Sequence, residues 1–289
     1  MSNKLSSLIA GTMNWGVWGA NLSKSAMQER IIAYLSQQIT SFDHADIYGG
    51  YTTEKAFGEA WKELNVPREQ VQFISKCGIK YVGGTRDYAI KHYDYSKSYI
   101  IWSVEESLKN LQTDYLDVLL LHRPSPLMQA DEIAEAITKL KETGKIKDFG
   151  VSNFSNEQTQ LLQKETNIAY NQIQFSATHF DAMLNGSLNF MQLQQIQCMA
   201  WNPLGSIFKE TNEQTQRLQK LLSNLELKYN CTKDLLMLAW IIKHPANILP
   251  VIGTTNINRI TGLKDINSIV LSTEDWFAIW TESQGKKVP

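Results

Sequence analysis

The chain has little of what would commit it to a special class. It holds three cysteines among 289 residues and carries a formal net charge of -1. No apolar run approaches the roughly 20 residues needed to span a bilayer. Cys77, Cys198 and Cys231 are odd in number, far apart and form no C-x-x-C pair, which excludes a disulfide framework and reads as reduced thiols in a cytoplasmic protein. Cys77 directly follows Lys76, and a packed thiol is the simpler reading of it. With so little net charge, nothing draws the whole chain to nucleic acid or to an anionic membrane, so an anionic ligand must be held by local groups. The opening "MSNKLSSLIAGTMNWG" does not read as a signal peptide. No linker, low-complexity segment or internal repeat divides the chain, and one domain over residues 1–289 is expected.

What is present is alternation. The composition, 43% hydrophobic and 20% charged, is ordinary for a globular chain. Short β-type runs fall at 8–12, 40–43, 71–76, 118–122, 147–152, 170–174, 197–201 and 248–252, most too apolar to be half-exposed, as for strands buried on both faces of a parallel sheet. Helical patterns separate them. Ser155 with Gln158 forms a capping-box pattern, and "DEIAEAITKLKETG" puts Ile133, Ile137 and Leu140 on one face before Gly144. Thr232 caps "KDLLMLAWIIKH", which Pro245 stops, and a last helix starts at Ser272. About eight strand–helix repeats predict an α/β fold of the (β/α)8 TIM-barrel type. A doubly wound dinucleotide-binding sheet would place G-x-G-x-x-G after its first strand, where this chain reads "AGTMNWGVWG". The longest irregular stretch, 77–97, is rich in Gly and Tyr and would overhang the C-terminal mouth of a barrel.

Active sites of such barrels lie at the C-terminal strand ends. Asp43, Lys76 and His122 end the second, third and fourth runs, and Tyr48 follows the second by one loop. Carboxylate, ammonium, imidazole and phenol are the groups needed to protonate a carbonyl oxygen while hydride attacks its carbon. A Tyr hydroxyl titrates near 10, and a neighbouring ammonium is expected to lower that value. The His can hydrogen-bond the carbonyl oxygen, and a carboxylate beside the Lys would hold it charged. A metal-dependent hydrolase would instead need His44, Asp46, His122 and His179 to converge.

The segments "FDHADIYGGYTTEKAFGEAW", "ISKCG", "LLLHRPSPLMQADEIAEAITKLKETGKIKDFGVSNFS", "NQIQFS" and "MAWNPLGS" together resemble the aldo-keto reductase superfamily, from about Gly11 onward. "HRPSPLM" and the closing "VP" resemble the bacterial oxidoreductase branch that includes the YdhF-like proteins. The resemblance implies NADPH-dependent reduction of aldehydes or ketones, with Tyr48 as proton donor, Lys76 and Asp43 tuning it, and His122 orienting the carbonyl. It implies Ser152, Asn153 and Gln172 on the nicotinamide carboxamide, Trp201 on its ring with Asn202 beside it, and Leu204, Gly205 and Ser206 along the pyrophosphate. Thr12 and Met13 would lie by the ribose and nicotinamide, and Gly253, Thr254 and Arg259 at the adenosine 2′-phosphate. Related sequences often place a Lys or Arg where this chain reads "GTTNIN", so NADH is kept as an alternative cofactor. Trp15, Trp18 and Arg123, with the Tyr-rich stretch, are the expected pocket walls, suited to apolar or aryl carbonyl compounds. The alternative function is an NADP(H)-binding, redox-sensing regulatory subunit with little turnover. Expected partners are the small-molecule substrate alone, with no metal, nucleic acid or membrane, for a monomer or weak homo-oligomer.

Overall fold

A computed structural model describes residues 5–288, apart from the side chains of Asp265 and Asn267. The strands are β1 (Ile9–Gly11), β2 (Ser41–Asp43), β3 (Gln72–Cys77), β4 (Ile79–Lys80), β5 (His92–Tyr93), β6 (Leu116–Leu121), β7 (Ile146–Ser152), β8 (Tyr170–Gln174), β9 (Gln197–Trp201) and β10 (Leu249–Ile252). Eight of them close a barrel in the order β1-β10-β9-β8-β7-β6-β3-β2, and every described ladder in it is parallel. The fold is the (β/α)8 barrel read from the alternation. The eight barrel strands fall on the eight expected runs, with ends moved by two residues at most. The largely apolar character of most of those runs has a direct cause. Both faces of a barrel strand are covered, and β3 and β6 are buried at every position.

The expectation of an irregular 77–97 is corrected. Within it β4 and β5 form an antiparallel hairpin, pairing Ile79 with Tyr93 and Lys80 with His92. Seen from sequence, two-residue strands show no periodicity to read.

The helices are α1 (Lys24–Ser36), α2 (Thr53–Lys62), α3 (Lys97–Leu111), α4 (Ala130–Glu142), α5 (Asn156–Gln163), α6 (Asp181–Leu184), α7 (Ser187–Leu193), α8 (Glu213–Tyr229), α9 (Lys233–Ile242), α10 (Ile257–Gly262) and α11 (Thr273–Gln284). Ser155 caps α5 with the reciprocal Gln158 bond of a capping box. Ser272 accepts from Asp275 N–H at the start of α11. Thr232 occupies the N-cap position of α9, but its side chain makes no capping bond.

Packing divides the chain into two compact units, Met1–Gln172 with Gly253–Thr261, and Ile173–Ile252 with Gly262–Pro289. In the first, Phe42, Phe57 and Phe73 pack edge to face or tilted, with Trp15 and Tyr34 beside Phe42. In the second, Trp240 stacks on Phe175 and on Trp276, and the two indoles exchange N–H bonds with each other's backbone carbonyls. Aromatic contacts of this kind each add about 0.5–1.5 kcal/mol beyond burial.

Candidate active site

Strand register builds the site. Asp43 pairs with Ile74, and Lys76 with Leu120. His122 follows β6, and its N–H reaches Cys77 carbonyl at 3.0 Å. The chain past β2 continues along β3, with His44 and Asp46 N–H bonding the carbonyls of Ile74 and Lys76. It then turns back so that Tyr48 faces Lys76. Lys76 Nζ donates to Asp43 Oδ2 at 2.7 Å, to the His44 carbonyl at 2.8 Å and to Tyr48 Oη at 3.1 Å. An ammonium has three protons, so each has a partner. The Tyr48 and His122 rings meet edge to face at 6.0 Å. All four residues expected to carry chemistry are thus brought together.

Lys76 is buried, which opposes its charge, yet Asp43 and Tyr48 outweigh that and hold the ammonium above its ordinary value. For Tyr48 the balance runs against the sequence-based expectation. Burial pushes the phenol up, Lys76 pulls it down, and burial prevails. Tyr48 therefore rests as a protonated acid. Burial first, then the charges of Lys76, Arg123 and Lys91, push His122 well below the usual imidazole range, so the ring is neutral. Its Nδ1 is buried with no partner, which leaves Nε2 as the nitrogen able to meet a ligand. Cys77 is buried, and burial raises its thiol well above the ordinary value, so it is a packing residue and not a reactive thiolate.

A second row of polar groups adjoins the first. Asn153 Nδ2 donates to Ser152 Oγ at 2.8 Å, and Ser152 Oγ donates to the Gln172 carbonyl at 3.0 Å. Gln172 Nε2 donates to Asp43 Oδ1 at 2.8 Å, which joins this row to the Asp43–Lys76–Tyr48 cluster. Asn153 takes a φ of 60°, a left-handed conformation that Asn tolerates well.

Two expected positions are corrected. Trp15 is fully buried, stacked on Tyr34 at 6.2 Å and set against Phe42 and Phe57, so it is core and not a pocket wall. Thr12 is also fully buried, its hydroxyl tied to the Asp43 carbonyl and to His44 Nδ1, so it offers no surface to a ribose. Met13 beside it is exposed. Trp18, 38% exposed, sets its edge toward Tyr48 at 6.4 Å and Tyr81 at 5.2 Å. Arg123 is half-buried, with its backbone N–H and carbonyl both bonded to Tyr95 Oη. His44 and Asp46 do not turn toward His122 as a metal site would require. His44 bonds Thr12, and Asp46 bonds Ser103 and Arg86.

In the same unit, Gly253 and Arg259 are exposed and Thr254 is half-buried. Arg259 N–H bonds Asn256 Oδ1 at 3.3 Å. A second cation lies there that sequence reading missed. Arg30 of α1 donates to the Thr255 carbonyl at 3.1 Å, while Tyr34 holds the Thr254 carbonyl at 2.8 Å. In the other unit, Trp201, Asn202, Leu204 and Ser206 are half-buried. The N–H groups of Gly205 and Ser206 are already taken by the Asn202 carbonyl and by Thr178 Oγ1. A Cβ on Gly205, at φ 54°, would lie 1.9 Å from Thr178 Oγ1, so glycine is required by packing. Lys209 Nζ reaches Asn202 Oδ1 at 3.2 Å, a second missed cation. Its only signal was proximity to the "NPLGS" turn.

A barrel with this cluster at its strand ends carries groups that an oxidoreductase can use, and comparison with known proteins shows the family. The chain belongs to the aldo/keto reductase family, whose pattern matches residues 7–282. It is 39% identical to the oxidoreductase YcsN of Bacillus subtilis, covering 99% of this chain and 97% of that one. It is 37% identical to a 6-dehydroglucose reductase of Agrobacterium fabrum (95% and 94% covered) and to the oxidoreductase YdhF of Escherichia coli (95% and 93%). Among solved structures, an aldo/keto reductase from Klebsiella pneumoniae in complex with NADP and acetate superposes with a TM-score of 0.77 at 26% identity, covering 95% of this chain and 90% of that one.

Proposed function

We propose that this protein is an NADPH-dependent carbonyl reductase, acting as one catalytic domain in the cytoplasm, with Tyr48 as proton donor to an aldehyde or ketone. The observation that carries the reading is the buried Lys76 ammonium, bonded at once to Asp43 and to Tyr48 Oη. The residues present fit a nicotinamide nucleotide. Ser152, Asn153 and Gln172 form a row of neutral hydroxyl and amide groups, the chemistry a carboxamide needs. Trp201 would receive the ring, Asn202, Leu204, Ser206 and Lys209 the pyrophosphate, and Thr254, Arg259 and Arg30 the adenosine 2′-phosphate. A 2′-phosphate binds best to paired cationic donors, and Arg30, which here pairs with Glu29, lies beside Arg259's segment and supports NADPH over NADH once it turns to the phosphate. The NADP complex of the Klebsiella relative supports the same choice.

When bound, the reduced nicotinamide supplies hydride to the carbonyl carbon. Tyr48 gives its proton to the carbonyl oxygen, and the O–H electron pair stays on the phenolate. Lys76 stabilises that phenolate from 3.1 Å, and Asp43 holds Lys76 charged and in place. His122, neutral, offers Nε2–H to the same oxygen and so orients the carbonyl. The Agrobacterium relative is a 6-dehydroglucose reductase, which supports oxidised sugars beside aryl aldehydes as substrates to try, with Trp18 and Arg123 as the proposed walls.

Loss of reduced-nicotinamide absorbance, followed with aryl, aliphatic and sugar aldehydes, tests the reading. Tyr48→Phe should lower kcat by about 10²–10⁴-fold and leave the NADPH Kd within about twofold. Wild-type kcat in that variant would remove Tyr48 from its role. Silence of the wild type on every carbonyl, with saturable NADPH binding, would move the protein to the redox-sensing class.

A further inference from the structure

We propose that Arg86 is a positioning residue of this site: it anchors the loop between β4 and β5 to the segment that carries Tyr48, and so fixes the wall against which a carbonyl substrate packs. The proposal deepens the carbonyl-reductase reading and rests on it.

Arg86 lies in the loop between β4 and β5, yet its side chain is only 15% exposed. Its guanidinium stacks over the rings of Tyr51 at 4.0 Å and Trp102 at 4.5 Å. It donates to Asp46 Oδ2 at 3.3 Å and to Tyr99 Oη at 3.4 Å. The Asp46 side chain is wholly buried and takes a further bond from Ser103. Taking a guanidinium and a carboxylate out of water is costly unless each meets the other. The loop therefore has one favourable seat, with Arg86 between α3 and the 45–52 segment. Asp46 stands two residues before Tyr48, so the anchor grips the chain that presents the proton donor.

The backbone repeats the attachment. Thr85 N–H bonds the Gly50 carbonyl at 3.0 Å, Tyr51 Oη donates to the Ile79 carbonyl at 3.1 Å, and Tyr81 N–H donates to Tyr51 Oη at 2.8 Å. Gly84 lies so close that a Cβ on it would stand 2.8 Å from the Gly50 carbonyl oxygen. Docked in this way, the loop packs Tyr81, Tyr88 and Tyr93 against the cluster that contains Tyr48 and Tyr51. Tyr81 braces Trp18, and Trp18 faces Tyr48. Arg86 touches no reacting atom; it acts through Tyr81 and Trp18.

The test uses Arg86→Met, which keeps much of the apolar stem, and Arg86→Lys, which keeps charge but loses the planar stack. Arg86→Met should raise KM for the best carbonyl substrate by about tenfold, with kcat within about threefold and NADPH Kd within about twofold of wild type. Backbone amide exchange at Tyr81 and Thr85 should accelerate while that of the barrel strands stays unchanged. Arg86→Lys should restore part of both effects. Faster exchange with an unchanged carbonyl KM would overturn the proposal, because the loop would then be no wall. Unchanged exchange would overturn it too, because Arg86 would then be no anchor. A wild type inactive on all carbonyls would show as failure before any variant is compared, and would overturn the function reading together with this one.

Discussion

Lys76 shows how much one residue can organise here. Its three protons meet a carboxylate, a carbonyl and a phenol, and a buried ammonium needs all of them. Asp46 is the opposite case. It is buried with one oxygen unpartnered, and burial, opposed by Arg86, pushes its carboxyl up to about 7 from an ordinary value near 3.8. A carboxyl raised in the folded state binds its proton more tightly there than in the unfolded chain. Its contribution to stability is thus complete below about pH 4 and is lost as pH rises through about 7. Asp46→Asn has no such proton to lose. The unfolding free energy of the variant minus that of wild type should therefore grow by a few kcal/mol, in order of magnitude, between about pH 4 and 8. Urea melts across that range measure it, and a constant difference would refute the assignment. Arg86 did not stand out in the sequence, and Asp46 entered only as a possible metal ligand. They are 40 positions apart and lie in segments with no periodic pattern.

At the scale of elements, local signals served well where an element ends on chemistry of its own. The capping box at Ser155 was legible because both partners lie within four residues and bond the backbone directly. Ser155→Ala should lower stability by about 1 kcal/mol, read as a drop in denaturation midpoint, while the carbonyl KM stays at its wild-type value. A changed KM would mean that α5 does more than brace the barrel. Strands were legible for a related reason, since a run such as β6 is almost wholly apolar and buried at every position. The β4–β5 hairpin was hidden because its pairing is long-range and its strands are two residues each. Trp15 and Trp18 looked alike from sequence, three positions apart in one loop. Only packing separates them, one enclosed by Tyr34, Phe42 and Phe57, the other edge-on to Tyr48.

For the molecule as a whole, a net charge of -1 means that cofactor affinity depends on a few placed cations. Arg259 and Arg30 are the candidates for the 2′-phosphate, and Lys209 for the pyrophosphate. A ligand at 100 times its Kd adds about 2.7 kcal/mol to the folded state. Saturating NADPH should accordingly raise the melting temperature by several degrees, about 2–4 °C per kcal/mol in a chain of this order. NADH at the same concentration should raise it less, and Arg30→Ala should narrow the gap. Equal shifts for the two nucleotides in the wild type would remove Arg30 and Arg259 from 2′-phosphate recognition.

By itself the sequence determined the barrel, the eight strand positions, and the gathering of Asp43, Tyr48, Lys76 and His122 at one set of strand ends. It could do so because apolar strand-type runs and the polar residues that end them are written in adjacent residues. The tertiary structure alone decided which groups are dry and which face a ligand. It reversed the expected shift of Tyr48, took Trp15 and Thr12 into the core, and brought Arg86 to Asp46 and Arg30 to Thr255. Burial and long-range pairing depend on what folds over a residue, and that is not encoded in its neighbours along the chain.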